Sequence, residues 1–265
     1  MRLCSIASGS SGNCIYVGSD ATHLLVDTGI SGKRMVSGVE SLGIKPSELD
    51  GILITHEHSD HISGLGVMAR KYEIPIYTTR ETYEAIKQDK KIGLLPEGLF
   101  QEVRYDEKFI LKDMEIYPVR ISHDAKKPVA YRVGCEKKKV GILTDLGNFN
   151  DYIVECMSNL DAVLLEANHD VNMLQVGPYP YYLKQRILGD RGHLSNELCG
   201  RLLDRILHNG TKQVVLGHLS KENNMPELAY ETVRLEIDMS DSPFKAKDFH
   251  LSVAKRSEVS EVIEI

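Results

Sequence analysis

The apolar positions of this chain alternate between two periods. Short runs, Leu3–Ala7, Cys14–Gly18 and His23–Val26, are bounded by Gly, Ser and Asp and read as strands. Lys33–Leu42 has helical spacing and stops at Lys45-Pro46. Gly51–Ile54 is a further strand, after which Ile62, Leu65, Ala69 and Tyr72 mark one face of a helix. Strand Ile74–Tyr77 and helix Glu81–Gln88 follow, and Leu94–Lys108 carries no clear period. Strands are then expected at Ile110, Met114–Val119, Val129–Val133 and Lys139–Leu143, with a helix at Tyr152–Ser158 and a strand at Ala162–Leu165. Helices Tyr181–Leu188 and Asn196–His208, strand Gln213–Leu216, helix Glu227–Asp238 and strand Phe249–Val253 lead to a polar tail. Strands alternating with helices predict an α/β fold.

One internal repeat shows through this pattern. Leu24-Leu25-Val26-Asp27-Thr28-Gly29 resembles Gly141-Ile142-Leu143-Thr144-Asp145-Leu146-Gly147. Each is followed by a helix and then by a similar strand, Asp50–Ile54 in one case and Asp161–Leu165 in the other. The duplication predicts two similar sheet-and-helix halves, roughly 1–125 and 126–255, packed face to face within one domain spanning 1–265. Strand ends of both halves would meet at one edge.

Composition narrows the class. The 265 residues are 42% hydrophobic and 26% charged, ordinary for a soluble globular protein. The opening Met1–Ser5 makes no signal peptide, and no stretch is long and apolar enough to span a bilayer. Cys4, Cys14, Cys135, Cys156 and Cys199 are odd in number and scattered. They read as buried thiols in a reducing cytoplasm, not as a metal site. A net charge of −6 disfavours unspecific adhesion to nucleic acid, so a polyanionic substrate needs a local basic patch.

The candidate chemistry sits behind Ile52-Leu53-Ile54. There Thr55-His56-Glu57-His58-Ser59-Asp60-His61 places three histidines and an aspartate within six positions, the donor types of zinc and similar ions. His56 and His58 can point together at one ion, while Asp60 and His61, turning into a helix, can face a second. Asp27, His123, Asp145 and His218 also fall at ends of predicted strands or in loops. His23, His208 and His250 lack such neighbours and read as structural.

These residues together resemble the metallo-β-lactamase superfamily over about Asp27 to His218. Ser8–Asn13, Gly192–Asn196 and Gly217–Ser220 are similar to its YycJ-like branch of bacterial nucleases. The resemblance implies an αββα sandwich with a dinuclear site at the sheet edges, holding two divalent ions, Zn²⁺ and/or Mn²⁺. His56, His58 and His123 would hold one ion, Asp60, His61 and His218 the other, and Asp145 would bridge them. Asp27 would support the histidine loop from behind as a hydrogen-bond acceptor. Two such ions share a hydroxide, because a bound ion lowers the pKa of water to about 7. Asp60 and His193 are the candidate catalytic residues, His193 as acid or phosphate contact.

The implied activity is a nuclease acting on strand ends, on DNA in preference to RNA, in the cytoplasm and away from membranes. A thioester hydrolase of glyoxalase II type uses a similar ligand set and is the alternative. Possible substrate contacts are Ser10 and Asn13, in a Gly/Ser loop that is either a phosphate nest or a plain hairpin, and His169, which is either a site residue or structural. Tyr181, Lys184 and Arg191 mix stacking faces with cations as single-strand binders do, or else pack an ordinary helix. Protein partners are not legible.

Overall fold

A computed structural model describes all residues, Met1–Ile265. The chain forms two compact units. The first comprises Met1–Arg120, Ala125–Glu136 and Lys255–Ile265, the second Ile121–Asp124 and Lys137–Ala254.

In the first unit, β1 (Arg2–Ala7), β2 (Cys14–Gly18) and β3 (His23–Val26) form an antiparallel meander. β4 (Gly51–Leu53), β5 (Ile76–Thr78) and β6 (Phe100–Glu102) add in parallel beyond β3. Strand β6 lies in the stretch without a period, and its side chains are half-buried or exposed, which is why no apolar alternation marked it. The polar tail contributes a last short strand, Ile263–Glu264, antiparallel to β1. Every side chain of β2 is buried, so its sequence reads as a continuous run without alternation.

Helix α1 (Gly32–Ser41) is capped by the Ser31 hydroxyl and buries Met35, Gly38 and Val39 at helical spacing. The helix expected after the histidine stretch is broken in two, α2 (Ser59–Ile62) and α3 (Leu65–Tyr72). At the break, the Gly64 N–H donates to the Thr28 carbonyl at 2.8 Å instead of continuing the helix. Helix α4 (Arg80–Gln88) starts on a Thr79 cap. β7 (Phe109–Leu111), β8 (Met114–Arg120) and β9 (Val129–Cys135) complete the unit as an antiparallel set. The buried Tyr131 hydroxyl donates to the Ile54 carbonyl at 3.0 Å, and the Val129 N–H to that of Thr55. Both bonds fix the backbone that enters the histidines.

The second unit is built on parallel strands β10 (Lys138–Leu143), β11 (Ala162–Glu166), β12 (Gln213–Gly217) and β13 (His250–Val253). Strands β11 and β12 are buried almost throughout, as parallel strands covered on both faces require. The connections carry α5 (Asp151–Cys156), α6 (Val171–Val176), α7 (Tyr181–Leu188), α8 (Asn196–Ile206) and α9 (Pro226–Met239). α6 was not legible from periodicity, since it buries only Leu174; its start is set by the Asp170 cap. α8 starts at the expected residue on its Ser195 cap and packs against α9. All five cysteines are free, and Cys135 is half-buried where burial was expected. No helix is long and apolar enough to cross a membrane.

Candidate metal centre

The two repeated segments reach the same local geometry, one in each unit. Asp27 and Asp145 both take the left-handed backbone region, with φ of 61° and 59°. Short polar residues tolerate it because the side chain can bond locally. The glycines two positions on are each met by foreign backbone. A Cβ on Gly29 would lie 1.6 Å from the Asp60 carbonyl oxygen, and one on Gly147 would lie 2.4 Å from that of Asp190. Gly29 therefore lets the histidine stretch close on β3, and Gly147 lets the loop bearing His193 close on β10. His218, just beyond β12, is also left-handed, at φ 54°. Strain at a bulky residue there is costly and is held only by well-determined surroundings.

In the first unit, the buried Asp27 carboxylate accepts from the Thr55 N–H (2.9 Å), the Thr55 hydroxyl (2.9 Å) and His61 Nδ1 (2.7 Å). Burial pushes the Asp27 pKa up, against the opposing pull of His61 and Thr55. Because the Thr55 hydroxyl proton goes to Asp27, its oxygen is left to accept from His56 Nδ1 at 2.9 Å. The His56 ring lies 4.6 Å from that of His58 and 4.1 Å from that of His61, centroid to centroid. Asp60 Oδ2 is 3.4 Å from His61 Nε2.

In the second unit, Asp145, Glu166 and His218 follow or end neighbouring parallel strands β10, β11 and β12. That is the carboxyl edge where open α/β sheets bind ligands. Glu166, which sequence reasoning passed over, is the hub. Its Oε1 accepts from His193 Nδ1 (2.8 Å) and His218 Nδ1 (2.7 Å), and its Oε2 from the N–H groups of Leu146 (2.8 Å) and Leu194 (3.2 Å). Burial alone would raise its pKa, but the His193 and His218 imidazoles outweigh it and hold the carboxyl at about 2. The repeat held the only available signal, because Glu166 closes the strand that matches the one before the histidine stretch. His123 Nδ1 faces the Gly192 carbonyl oxygen at 3.0 Å.

These contacts decide what the site can hold. His61, His123 and His218 each turn Nδ1 to an oxygen acceptor, so Nδ1 carries the proton and Nε2 the lone pair, the form that ligates a metal. Asp145 Oδ1 stands 3.6 Å from His218 Nε2 and 3.8 Å from His123 Nε2. Donors on a common tetrahedral ion, bound at ~2.1 Å, are about 3.4 Å apart, so this spacing suits ligation. Asp145, Glu166, His193 and His218 each offer a donor atom, all within 4.8 Å of one another. The donor set fits divalent ions. His193 is 21% exposed, whereas His123 and His218 are 1% exposed, so of these three it is the one that solvent reaches.

The proposed substrate contacts divide. Ser10 is exposed, but Asn13 is buried against the histidine stretch, donating to His61 Nε2 at 3.1 Å and accepting from the Gly9 N–H. The N–H groups of Gly12 and Asn13 go to Gly9 and Asp60 carbonyls, so the loop braces the site and does not fit a phosphate nest. Lys184 donates to the Gln175 and Gly177 carbonyls, and Arg191 to that of His123. Both are spent on local structure, while Tyr181 is 77% exposed. His208 and His250 bond the Leu160 carbonyl and Gln213, and His23 bonds the Tyr16 hydroxyl.

His169 is 1% exposed, and neither ring nitrogen has a hydrogen-bond partner. Burial pushes its pKa down to about 4. The unfolded imidazole titrates near 6.5, so the unfolded chain binds the extra proton between these values and stability falls as pH drops through the window. The loss is on the order of 3 kcal/mol. Urea unfolding of metal-free protein from pH 6.5 to 4 is expected to show a shallower decline for His169→Gln than for the parent. Equal slopes would mean that the ring protonates freely in the folded state.

The fold and this site define the class. The chain belongs to the metallo-β-lactamase superfamily: the family model described as Beta-lactamase superfamily domain matches residues 22–219. Two mixed sheets flanked by helices form its α/β sandwich. Among relatives, the chain is 44% identical to Exodeoxyribonuclease WalJ of Streptococcus pneumoniae serotype 2 over 236 residues, covering 89% of this chain and 88% of that protein. It is 39% identical to Exodeoxyribonuclease YycJ of Bacillus anthracis, covering 86% of each. The solved structure of Zn²⁺-bound PqqB from Methylobacterium extorquens superposes with a TM-score of 0.72 at 14% identity, covering both chains entirely, a likeness of fold.

Proposed function

We infer that this chain is a metal-dependent exodeoxyribonuclease that hydrolyses phosphodiester bonds at DNA strand ends. The observation that carries the reading is Asp145 Oδ1, set at ligand spacing from the Nε2 atoms of His123 and His218. The likeness to two exodeoxyribonucleases over most of the chain supplies the substrate class. His56, His58 and His123 are assigned to one ion, Asp60, His61 and His218 to a second, with Asp145 shared and Zn²⁺ or Mn²⁺ as occupants. Held by these residues, such ions would supply a nucleophile at neutral pH and offset charge on the phosphate.

The remaining steps belong to side chains. Asp60 orients the attacking water. His193 is the general acid: burial works to lower its pKa, but the Glu166 and Asp145 carboxylates raise it above the ordinary value, so the ring carries a proton to deliver. With Nδ1 held by Glu166, Nε2 is the atom that protonates the leaving oxygen. Tyr181, exposed on α7, is assigned to stack on a base. The free thiols are those of a protein kept in the reducing cytoplasm.

End-labelled single- and double-stranded DNA, the same strands as RNA, and a glutathione thioester form the test panel. DNA is expected to be degraded with Mn²⁺ or Zn²⁺, to persist in EDTA, and to be degraded again after metal is restored. Thioester cleavage without DNA cleavage would assign the site to acyl chemistry.

A further inference from the structure

His193 also walls a cavity that the reading above leaves empty of purpose. It measures about 380 Å³, lies wholly within the second unit, and sits where α6, the end of α7 and the first turns of α8 meet. A volume of this size is at the lower end for small-molecule pockets. His169, Asn172, Glu197 and Arg201 supply its polar lining, and Leu188 and Leu198 much of its apolar lining.

Two polar groups in this lining are unmet. His169 is buried with both ring nitrogens lacking a partner, and Glu197 has a buried Oε2 in the same condition. Leaving such groups dry is costly, so a fold keeps them where something else satisfies them. The charges say what that is not. Glu197 repels a phosphate, Arg201 leans to Glu236 at 3.4 Å, and the His193 ring is held by Glu166 through Nδ1. A neutral imidazole offers one donor and one acceptor, the carboxylate accepts, and the leucines give a flat group something to pack on.

We propose that this cavity receives a nucleobase of the strand being cut, with His169 and Glu197 bonding its polar edge and Leu188 and Leu198 packing on its face. The proposal rests on the nuclease reading and adds a base subsite to it. His193 is the shared wall: one side of the residue serves Glu166 and the reacting phosphate, and the cavity lies against it. Adenine, cytosine and guanine carry an exocyclic amino group to give to Glu197, and thymine does not.

The probes are deoxyadenosine 5′-monophosphate and the base-free deoxyribose 5-phosphate, added to zinc-loaded protein with isotope-labelled histidine. The nucleotide is expected to shift the His169 ring signals saturably, and the sugar phosphate to leave them in place. Equal shifts from both, or none from the nucleotide, overturn the proposal. Kinetics give a second reading through the ratio of kcat/KM on a single-stranded oligodeoxynucleotide to that on bis(p-nitrophenyl) phosphate, which has no base. In Glu197→Gln, and separately in Leu198→Trp, this ratio is expected to fall about tenfold, the scale of one lost base contact. A ratio equal to the parent's in both variants overturns the base subsite. Failure of the parent to cleave either substrate removes the nuclease reading instead, and the histidine spectra still decide whether the cavity takes a base.

Discussion

Asp145→Ala is expected to lower DNA hydrolysis by about 10³-fold or more, the scale of losing a preorganised charge at the reacting centre. Its Oδ1 stands 3.8 Å from His123 Nε2 and 3.6 Å from His218 Nε2, whereas Asp124 reaches His123 alone, at 3.3 Å, and Glu166 is already engaged through both oxygens. The substitution removes one negative charge that both ions would share. Metal content by elemental analysis should therefore fall together with kcat. Asp145→Asn is the stricter comparison, since it keeps the shape and removes the charge. An Asp145→Asn protein that cuts DNA at the parent rate would show that this carboxylate is outside the chemistry.

Glu166→Ala is expected to cost about 3–5 kcal/mol of stability, the scale of breaking a buried charged network from one side. Four donors lose their acceptor at once: the Nδ1 atoms of His193 and His218 and the N–H groups of Leu146 and Leu194. Glu166→Gln fills the same volume, but its NH2 group faces N–H donors where a carboxylate oxygen had accepted, so part of the stability loss remains. Its amide oxygen can still take two donors, but the two imidazoles lose the charge that raises their basicity. Metal affinity is expected to drop by about 10–100-fold, as for other outer partners of ligand histidines. Chemical unfolding of metal-free protein reads the first effect and competition with a fluorescent chelator the second. Alanine and glutamine variants indistinguishable from the parent in both assays would remove Glu166 from the account.

Much of this was legible because strands and ligands announce themselves locally. The continuous apolar runs that end at Val26 and Leu143 mark buried strands delivering Asp27 and Asp145 to a turn, and the packed histidine stretch has few other uses. The repeat was legible for the same reason: Gly29 and Gly147 are required by backbone that passes within a Cβ's reach. What stayed hidden depends on contacts far apart in sequence. Glu166 looks like the polar end of an ordinary strand until His193 and His218 arrive at its carboxylate. Lys184 and Arg191 look like free cations until their carbonyl partners are seen. The tail's strand is too short for any period to declare it.

The Ile263–Glu264 strand also governs an exposed edge. It pairs Glu264 with Arg2 and Ile263 with Leu3, so the β1 edge is covered by residues far away along the chain. Until those residues dock, that edge stays open, an unpaired template of the kind that recruits other chains. Substitutions that weaken this two-residue pairing would therefore bare the border of the first unit without touching the histidines.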